Sequence, residues 1–443
     1  MPTGSDRDVR ALREMSREAD GRLSLGDADE GARLLARAAE TAETLDDAYA
    51  LFFQGELLGW MEGDYEGQER LFREALGLRG DDAFLLKNLG LCLTAQSRFA
   101  EALAALDQAI ALAPEDHAVW REKGFTLSRM GEFEDAATHF DRAIALNPED
   151  FHAYREKASA LAMLGEAEAA LSPLAKALAI SPGDGRSWRL SGVIHSMLGH
   201  EEEALAHFDR SLELDPDEQD GWRLKGLTLS RFGRDEEAIA YFDKALALEP
   251  EDADVWRQRG VSLFTLGDAQ GAVACFDQAL ELDPDDWDAW RDRGVALSSL
   301  GRNEEALGAF DRAMEFHPGD YESLRQKGVT LCRLGLSEEA LSHFDQALAI
   351  NPGDYDSWRD KGAALSKLGR DEEALSHFDR ALELDPGDHH AWRQKGVALS
   401  NLGKYAEARA AFDQALAINP SDPDALREIY ALRAKLATQT QGG

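Results

Sequence analysis

The chain has 443 residues, and 48 Lys+Arg against 84 Asp+Glu leave a formal net charge of −36 at pH 7. With 44% hydrophobic and 30% charged residues the composition is that of a folded protein, which excludes wholesale disorder. The acidity argues against nucleic acid and anionic membrane as partners, because both reward net positive charge.

From the N-terminus, the segment MPTGSDRDVR is polar and lacks the apolar core of a signal peptide, and no later run reaches the roughly 18 apolar residues of a membrane span. Three cysteines, Cys92, Cys275 and Cys332, stand too far apart in sequence for a disulfide framework, which fits a reducing compartment. A cytoplasmic location is the expectation. Residues 1–48 read as an irregular N-terminal helical cap, with a helical pair over 7–48. Residues 49–82 read as a decayed repeat, with Phe52, Gly63, Phe72 and Ala75 in register with the units downstream and Gly80 where a proline would stand.

From 83 to 422 the chain is periodic. Ten of its thirteen prolines, from Pro114 to Pro420, are spaced 34 residues apart without a slip, dividing this stretch into ten tandem units. Residues 321–354 and 355–388 share 21 identities in 34 positions. Self-similarity at such a period marks a stacked repeat architecture. Each unit predicts two helices. In 355–388, Asp354 caps the first, and Trp358, Gly362 and Leu365 recur at helical spacing until Leu368-Gly369 breaks the run. Glu372 and Glu373 open the second; Ala374, Leu375, Phe378, Ala381 and Leu382 form one stripe, and Pro386 stops it. An acid precedes the first helix of unit after unit, from Asp116, Asp150, Asp184 and Glu218 to Asp388, as cap and helix-dipole partner. Residues 423–436 predict a capping helix before a loose TQTQGG tail, so 423–443 closes the array.

The recurring order Trp358, Gly362, Leu365, Ala374, Phe378, Pro386 resembles the tetratricopeptide repeat. The resemblance covers 83–422 and implies an all-α fold, a right-handed α-solenoid of stacked antiparallel helix pairs with atypical end units covering the apolar faces. Two departures stand out. Lys or Arg (Lys123, Lys361, Lys395) replaces the usual Leu before the Gly, and Leu replaces the Tyr three after it. A Lys stem can lie along apolar surface while its head reaches water.

The chain holds no phosphate-cradling Gly-rich loop, HExxH, CxxC or GxSxG, so neither an enzyme nor a cofactor is expected. His139, His207, His343 and His377 share one repeat position, but stacked helices roughly 8–10 Å apart set them too widely for one zinc. A core position holds His195 in place of Leu, which predicts a hydrogen-bonded core histidine.

An arginine follows the Trp position in nine successive units, Arg121, Arg155, Arg189, Arg223, Arg257, Arg291, Arg325, Arg359 and Arg393, with Lys87 in the tenth. The resemblance implies that this position looks into a concave groove beside Val193, Leu227, Val261, Val295, Val329 and Val397. Guanidinium forks suit carboxylates. Asp220, Asp254, Asp288, Glu322 and Asp356 stand three residues before their arginines and can neutralise them on one helix face, whereas Ala118, His152 and Arg186 supply no acid. The family's carboxylate-clamp form needs asparagines beside the groove cations, where Glu122, Leu190 and Asp292 stand here. Pro173 lies within a predicted second helix, in a unit that also has Tyr154 for Trp, Ala158 for Gly and Leu174 for Phe; its neighbour has Ser191 for Lys and Ser211 for Ala. A kink there would open a pocket beside Arg155, Arg186 and Arg189, against the alternative of drift with compensating repacking.

The expected function is a non-catalytic protein-protein interaction scaffold whose groove binds an acidic-apolar protein or peptide segment at Arg121, Phe125, Arg129, Arg155, Arg186, Arg189, Val193 and Met197. The alternatives are an accessory or regulatory substrate-positioning subunit of a separately encoded enzyme, and a scaffold that self-associates through its ends.

Overall fold

The computed structural model describes residues 6–24 and 28–441. Among the described residues there are twenty-five helices and no strand. They form two compact bodies, Met1–Thr228 and Leu229–Gly443, whose boundary falls inside α13 (Gln219–Arg231). The N-terminal body opens with α1 (Asp6–Ser24), α2 (Ala28–Leu45), α3 (Asp47–Glu62) and α4 (Tyr65–Arg79). The repeating pairs come next as α5 (Ala83–Ala95) with α6 (Phe99–Leu112), α7 (His117–Met130) with α8 (Phe133–Leu146), α9 (Phe151–Met163) with α10 (Ala167–Ile180), and α11 (Gly185–Met197) with α12 (Glu201–Leu214). The C-terminal body continues the pairing from α14 (Asp235–Leu248) and ends on a single helix, Pro423–Gln441, which carries helix into the TQTQ that composition suggests is loose.

Local chemistry sets these bounds. The carboxylates of Asp116, Asp150 and Asp184 accept hydrogen bonds from the amides of Ala118, Ala153 and Ser187, satisfying N–H groups that have no partner inside the helix. Asp252, Asp286, Asp320, Asp354 and Asp388 do the same in the C-terminal body. From α7 on, the first helices close into a turn at a glycine such as Gly131, whose φ of 86° is left-handed backbone that other residues adopt only at a cost; after α5 Ser97 takes that conformation, at φ 59°.

Within a pair, the two helices meet where a fully buried Phe faces a Gly. A Cβ on Gly124 would stand 2.8 Å from the Phe140 ring, and one on Gly192 would stand 2.7 Å from Phe208. In α9 and α10 the same place holds buried Ala158 and Leu174, a larger residue opposite a smaller one. The indoles of Trp120, Trp188 and Trp222 donate to the carbonyls of Pro114, Pro182 and Pro216 at 2.9 Å, so the Trp and Pro of the motif are one contact.

The lysines before the glycines have a partner as well. Lys123 reaches Asp107 at 2.6 Å and Lys157 reaches Asp141 at 2.5 Å, each on the preceding second helix. Lys225 with Asp209, Arg259 with Asp243, Arg293 with Asp277, Lys327 with Asp311, Lys361 with Asp345 and Lys395 with Asp379 repeat the arrangement. At one rung both members are gone: Ser191 stands opposite Ala175, and the Ser191 hydroxyl hydrogen-bonds His207 Nδ1 at 2.8 Å instead.

These exchanges account for much of the irregular segment by compensated repacking. Helix α10 runs unbroken through Pro173 with the same 14 residues as α8. His195 is half-buried, and its Nδ1 lies 3.3 Å from His200 Nδ1 at the surface rather than in the core. Among the described residues no helix is long and apolar enough to cross a membrane, and no cluster of His, Cys, Asp or Glu is fit to hold a metal.

Candidate functional site

In the N-terminal body the first helices α5, α7 and α9 stand side by side and, with α1, α3 and α4, line an open cavity of about 600 Å³. Three of the residues expected to bind, Arg121, Phe125 and Arg155, line it. The others lie further along the same face. Ala118 and His152 line the cavity at the repeat position that Arg186 takes in α11; Arg121 and Arg155 do so for Arg189, Phe125 for Val193, and Ala95 for Arg129 and Met197. Arg129, Arg186 and Met197 are exposed, and Val193 is half-buried.

The arginine ladder is neutralised from within. Arg121 donates through Nη1 to Asp150 at 2.8 Å and through Nη2 to Glu122 at 2.8 Å. Arg155 bonds Asp184 at 3.0 Å and Glu156 at 2.9 Å, and Arg189 bonds Glu218. This corrects the expectation that these three lack an acid. The partner is the cap residue 29 positions on, which stacking of first helix on first helix brings beside the guanidinium. The same pattern joins Arg359 to Asp388 at 3.1 Å, together with the expected acid of its own helix, Asp356, at 2.6 Å.

Burial opposes charge at these pairs, but partners outweigh it. Glu122 and Asp150 raise the pKa of Arg121. Against its own burial, Asp150 is held well below the usual carboxylate range by the hydrogen bond from His117, at 2.8 Å, and by Arg121. Burial and the charges of Arg121 and Arg155 lower His152 to about 4, so its imidazole is neutral at pH 7. Arg189 is shifted the other way. Burial lowers it, with the charges of Arg186, Arg223 and Arg155 adding to that and Asp220 opposing.

Other lining residues escaped the sequence reading as site residues: Lys87, Asn88, Tyr65, Leu91, His117 and His152. Lys87 was visible as the one lysine of the arginine ladder. Tyr65 carried no signal, because it lies in 49–82, outside the ten regular units. No carboxylate lies within ion-pair distance of Lys87, Arg129 or Arg186 among the described residues.

Models of the tetratricopeptide repeat family match residues 122–185, 198–253 and 257–321, then 89–150 and 370–429, then 320–386. No protein of curated function matches the chain. Among solved structures, the chain is similar to the APC/C hetero-tetramer Cut9-Hcn1 at 15% identity and a TM-score of 0.48, over 95% of this chain and 96% of that one. Yeast Tom70 is similar at 16% identity and 0.45, over 89% and 96%. YrrB, described as a TPR protein with an unusual peptide-binding site, is similar at 27% identity and 0.35, over 43% and 97%. With helix pairs repeating every 34 residues and family matches over most of its length, the chain belongs to the tetratricopeptide repeat family of protein-interaction scaffolds.

Proposed function

We propose that the protein is a non-catalytic scaffold that holds a segment of a partner protein along the first helices of its N-terminal body. In this reading ten repeats over 83–422 form the array, and 1–82 and 423–443 close its ends. The partner segment carries acids interleaved with apolar residues. One observation carries the proposal: the cavity of about 600 Å³ beside α5, α7 and α9 combines apolar Leu91 and Phe125 with Lys87, a cation that has no carboxylate of its own. Exposed Arg129 and Arg186 extend that character along the same face.

The experiment is hydrogen exchange on the complex captured from the native host. Protection over 83–197 supports the reading, and protection confined to 287–422 overturns it. Because Arg121, Arg155 and Arg189 hold the stack together, charge reversal belongs at Arg129 and Arg186, which do not. Arg129→Glu with Arg186→Glu is expected to weaken binding and flatten its salt dependence while leaving the melting temperature unchanged.

A further inference from the structure

A second cavity, open and of about 540 Å³, lies in the N-terminal body between α4, α5 and α6. It meets α5 through Leu86, Leu89 and Leu93, a different set from the Lys87, Asn88 and Leu91 that line the groove. Its cause is visible in the repeat register. One period later the Trp120 indole donates to the Pro114 carbonyl at 2.9 Å and lies 5.8 Å from the His139 ring. The Arg142 guanidinium sits 5.8 Å from the centre of the Trp120 ring, and Glu115 stands 3.9 Å from that guanidinium. In the first regular unit the corresponding residues are Leu86, Gly80, Ala105, Gln108 and Asp81, and all five line the cavity. The other nine regular units each keep an aromatic ring at the position of Leu86 or of Ala105, Trp in seven, Tyr154 in one and His343 in one. The unit 83–116 has neither.

What this place lacks and what it keeps together describe a ligand. The ring is gone, and so is the cation that lay on it, since Gln108 is neutral. The acid remains. Asp81 is exposed and makes no ion pair or side-chain hydrogen bond among the described residues. The floor is more apolar than in the next unit, because Leu89 stands where Lys123 pairs with Asp107. Arg73, the one cation of the lining, is held by Glu69 at 2.7 Å and Glu101 at 3.2 Å, which leaves Asp81 unanswered. Residues 1–5, 25–27 and 442–443 contain no aromatic side chain to fill the place. An apolar floor beside an unpaired carboxylate, in a chain of net charge −36 and a cavity of small-molecule size, favours a flat apolar group that carries positive charge. We propose that this cavity binds a small arylalkylamine. Its ring lies on Leu86 and Ala105 in place of the missing Trp, and its ammonium meets Asp81 as Arg142 meets Glu115.

The test titrates the full chain with tryptamine, protonated at pH 7, by isothermal titration calorimetry. One equivalent is expected to bind. Indole-3-propionate, with the same ring and the opposite charge, should bind at least about tenfold more weakly, the size of a hydrogen bond between charged groups. The amine without a ring, n-butylamine, should not bind. Leu86→Trp with Ala105→His installs the residues of the next unit, keeps the formal charge, and should abolish tryptamine binding without lowering the melting temperature. Gln108→Arg changes one exposed residue, gives Asp81 a cation, and should weaken tryptamine about tenfold. Unchanged affinity in either variant overturns the proposal, as does equal affinity for the three compounds or no binding of tryptamine. If the double variant unfolds, Gln108→Arg and Asp81→Asn, both at exposed positions, decide, and unchanged affinity in either overturns it. Tighter binding of an acetylated and amidated Trp-Lys dipeptide than of tryptamine would hand the cavity to a partner's side chains and overturn the small-molecule assignment. The groove reading stands or falls separately.

Discussion

The side chain of Arg155 is 13% exposed, and that of Asp184, 3.0 Å away, is 3% exposed. Deleting one member of such a pair strands the other in a place that water reaches poorly. Arg155→Met is therefore expected to destabilise the N-terminal body by about 2 kcal/mol, with a coupling of about 1 kcal/mol to Asp184→Asn in a double-mutant cycle read by urea unfolding. His152, between the same arginines, makes stability depend on pH. Its folded pKa of about 4 lies below the roughly 6.5 of an unfolded histidine, so the unfolded chain binds more protons in that window. Stability from this residue is complete above the upper value and falls as pH drops toward the lower one, with a slope of up to about 1.4 kcal/mol per pH unit. Replacing His152 by Phe should remove its share of that slope and leave what His195 and His207, lowered by their own burial, contribute. It should leave the further loss below about pH 4, where depressed carboxylates such as Asp150 take up protons, unchanged.

At the scale of the helix, Pro173 is a defect that α10 absorbs. Its ring nitrogen has no hydrogen to donate, so the carbonyl of Ala169 loses its place in the ladder, yet the helix continues to Ile180. Pro173→Ala should accordingly stabilise the N-terminal body by about 1–3 kcal/mol, seen as a higher urea midpoint. The missing rung between α10 and α11 offers a second check. Ser191→Lys and Ala175→Asp are each expected to be neutral or unfavourable alone, and together to recover about 0.5–1 kcal/mol of coupling. The helix pairs and their family were legible in the sequence because Trp, Gly, Phe and Pro recur at fixed offsets and caps announce themselves as acids before apolar runs. The cavity was not legible. Its wall draws on α1, α3 and α4, outside the regular period, and the fate of Arg121 and Arg155 depended on an acid 29 residues away that had already been given the role of cap. One carboxylate performs both tasks: Asp150 accepts from the Ala153 amide through one oxygen and from Arg121 through the other.

For the whole molecule, stability is a sum over neighbouring repeats, since each helix pair packs only on those beside it. Excising 287–320 removes one period and leaves Asp286 in front of Tyr321, where it can cap the next first helix as it capped the old one. A folded, helical protein is expected, whereas excising 287–303 should leave an unpaired helix and an aggregating product. Circular dichroism and gel filtration distinguish the two. The pairing of ladder arginines with the cap acid of the next repeat, as in Arg121 with Asp150, Arg155 with Asp184 and Arg359 with Asp388, gives the array a grammar of length. Duplication or loss of a whole period, wherever the join falls, reproduces every cross-repeat pair, because donor and acceptor keep their offset. A change of any other length strands a charge at the seam. Such a chain can be lengthened or shortened over generations in quanta of 34 residues, and Asp422 beside Arg393 keeps the same offset at the last regular period.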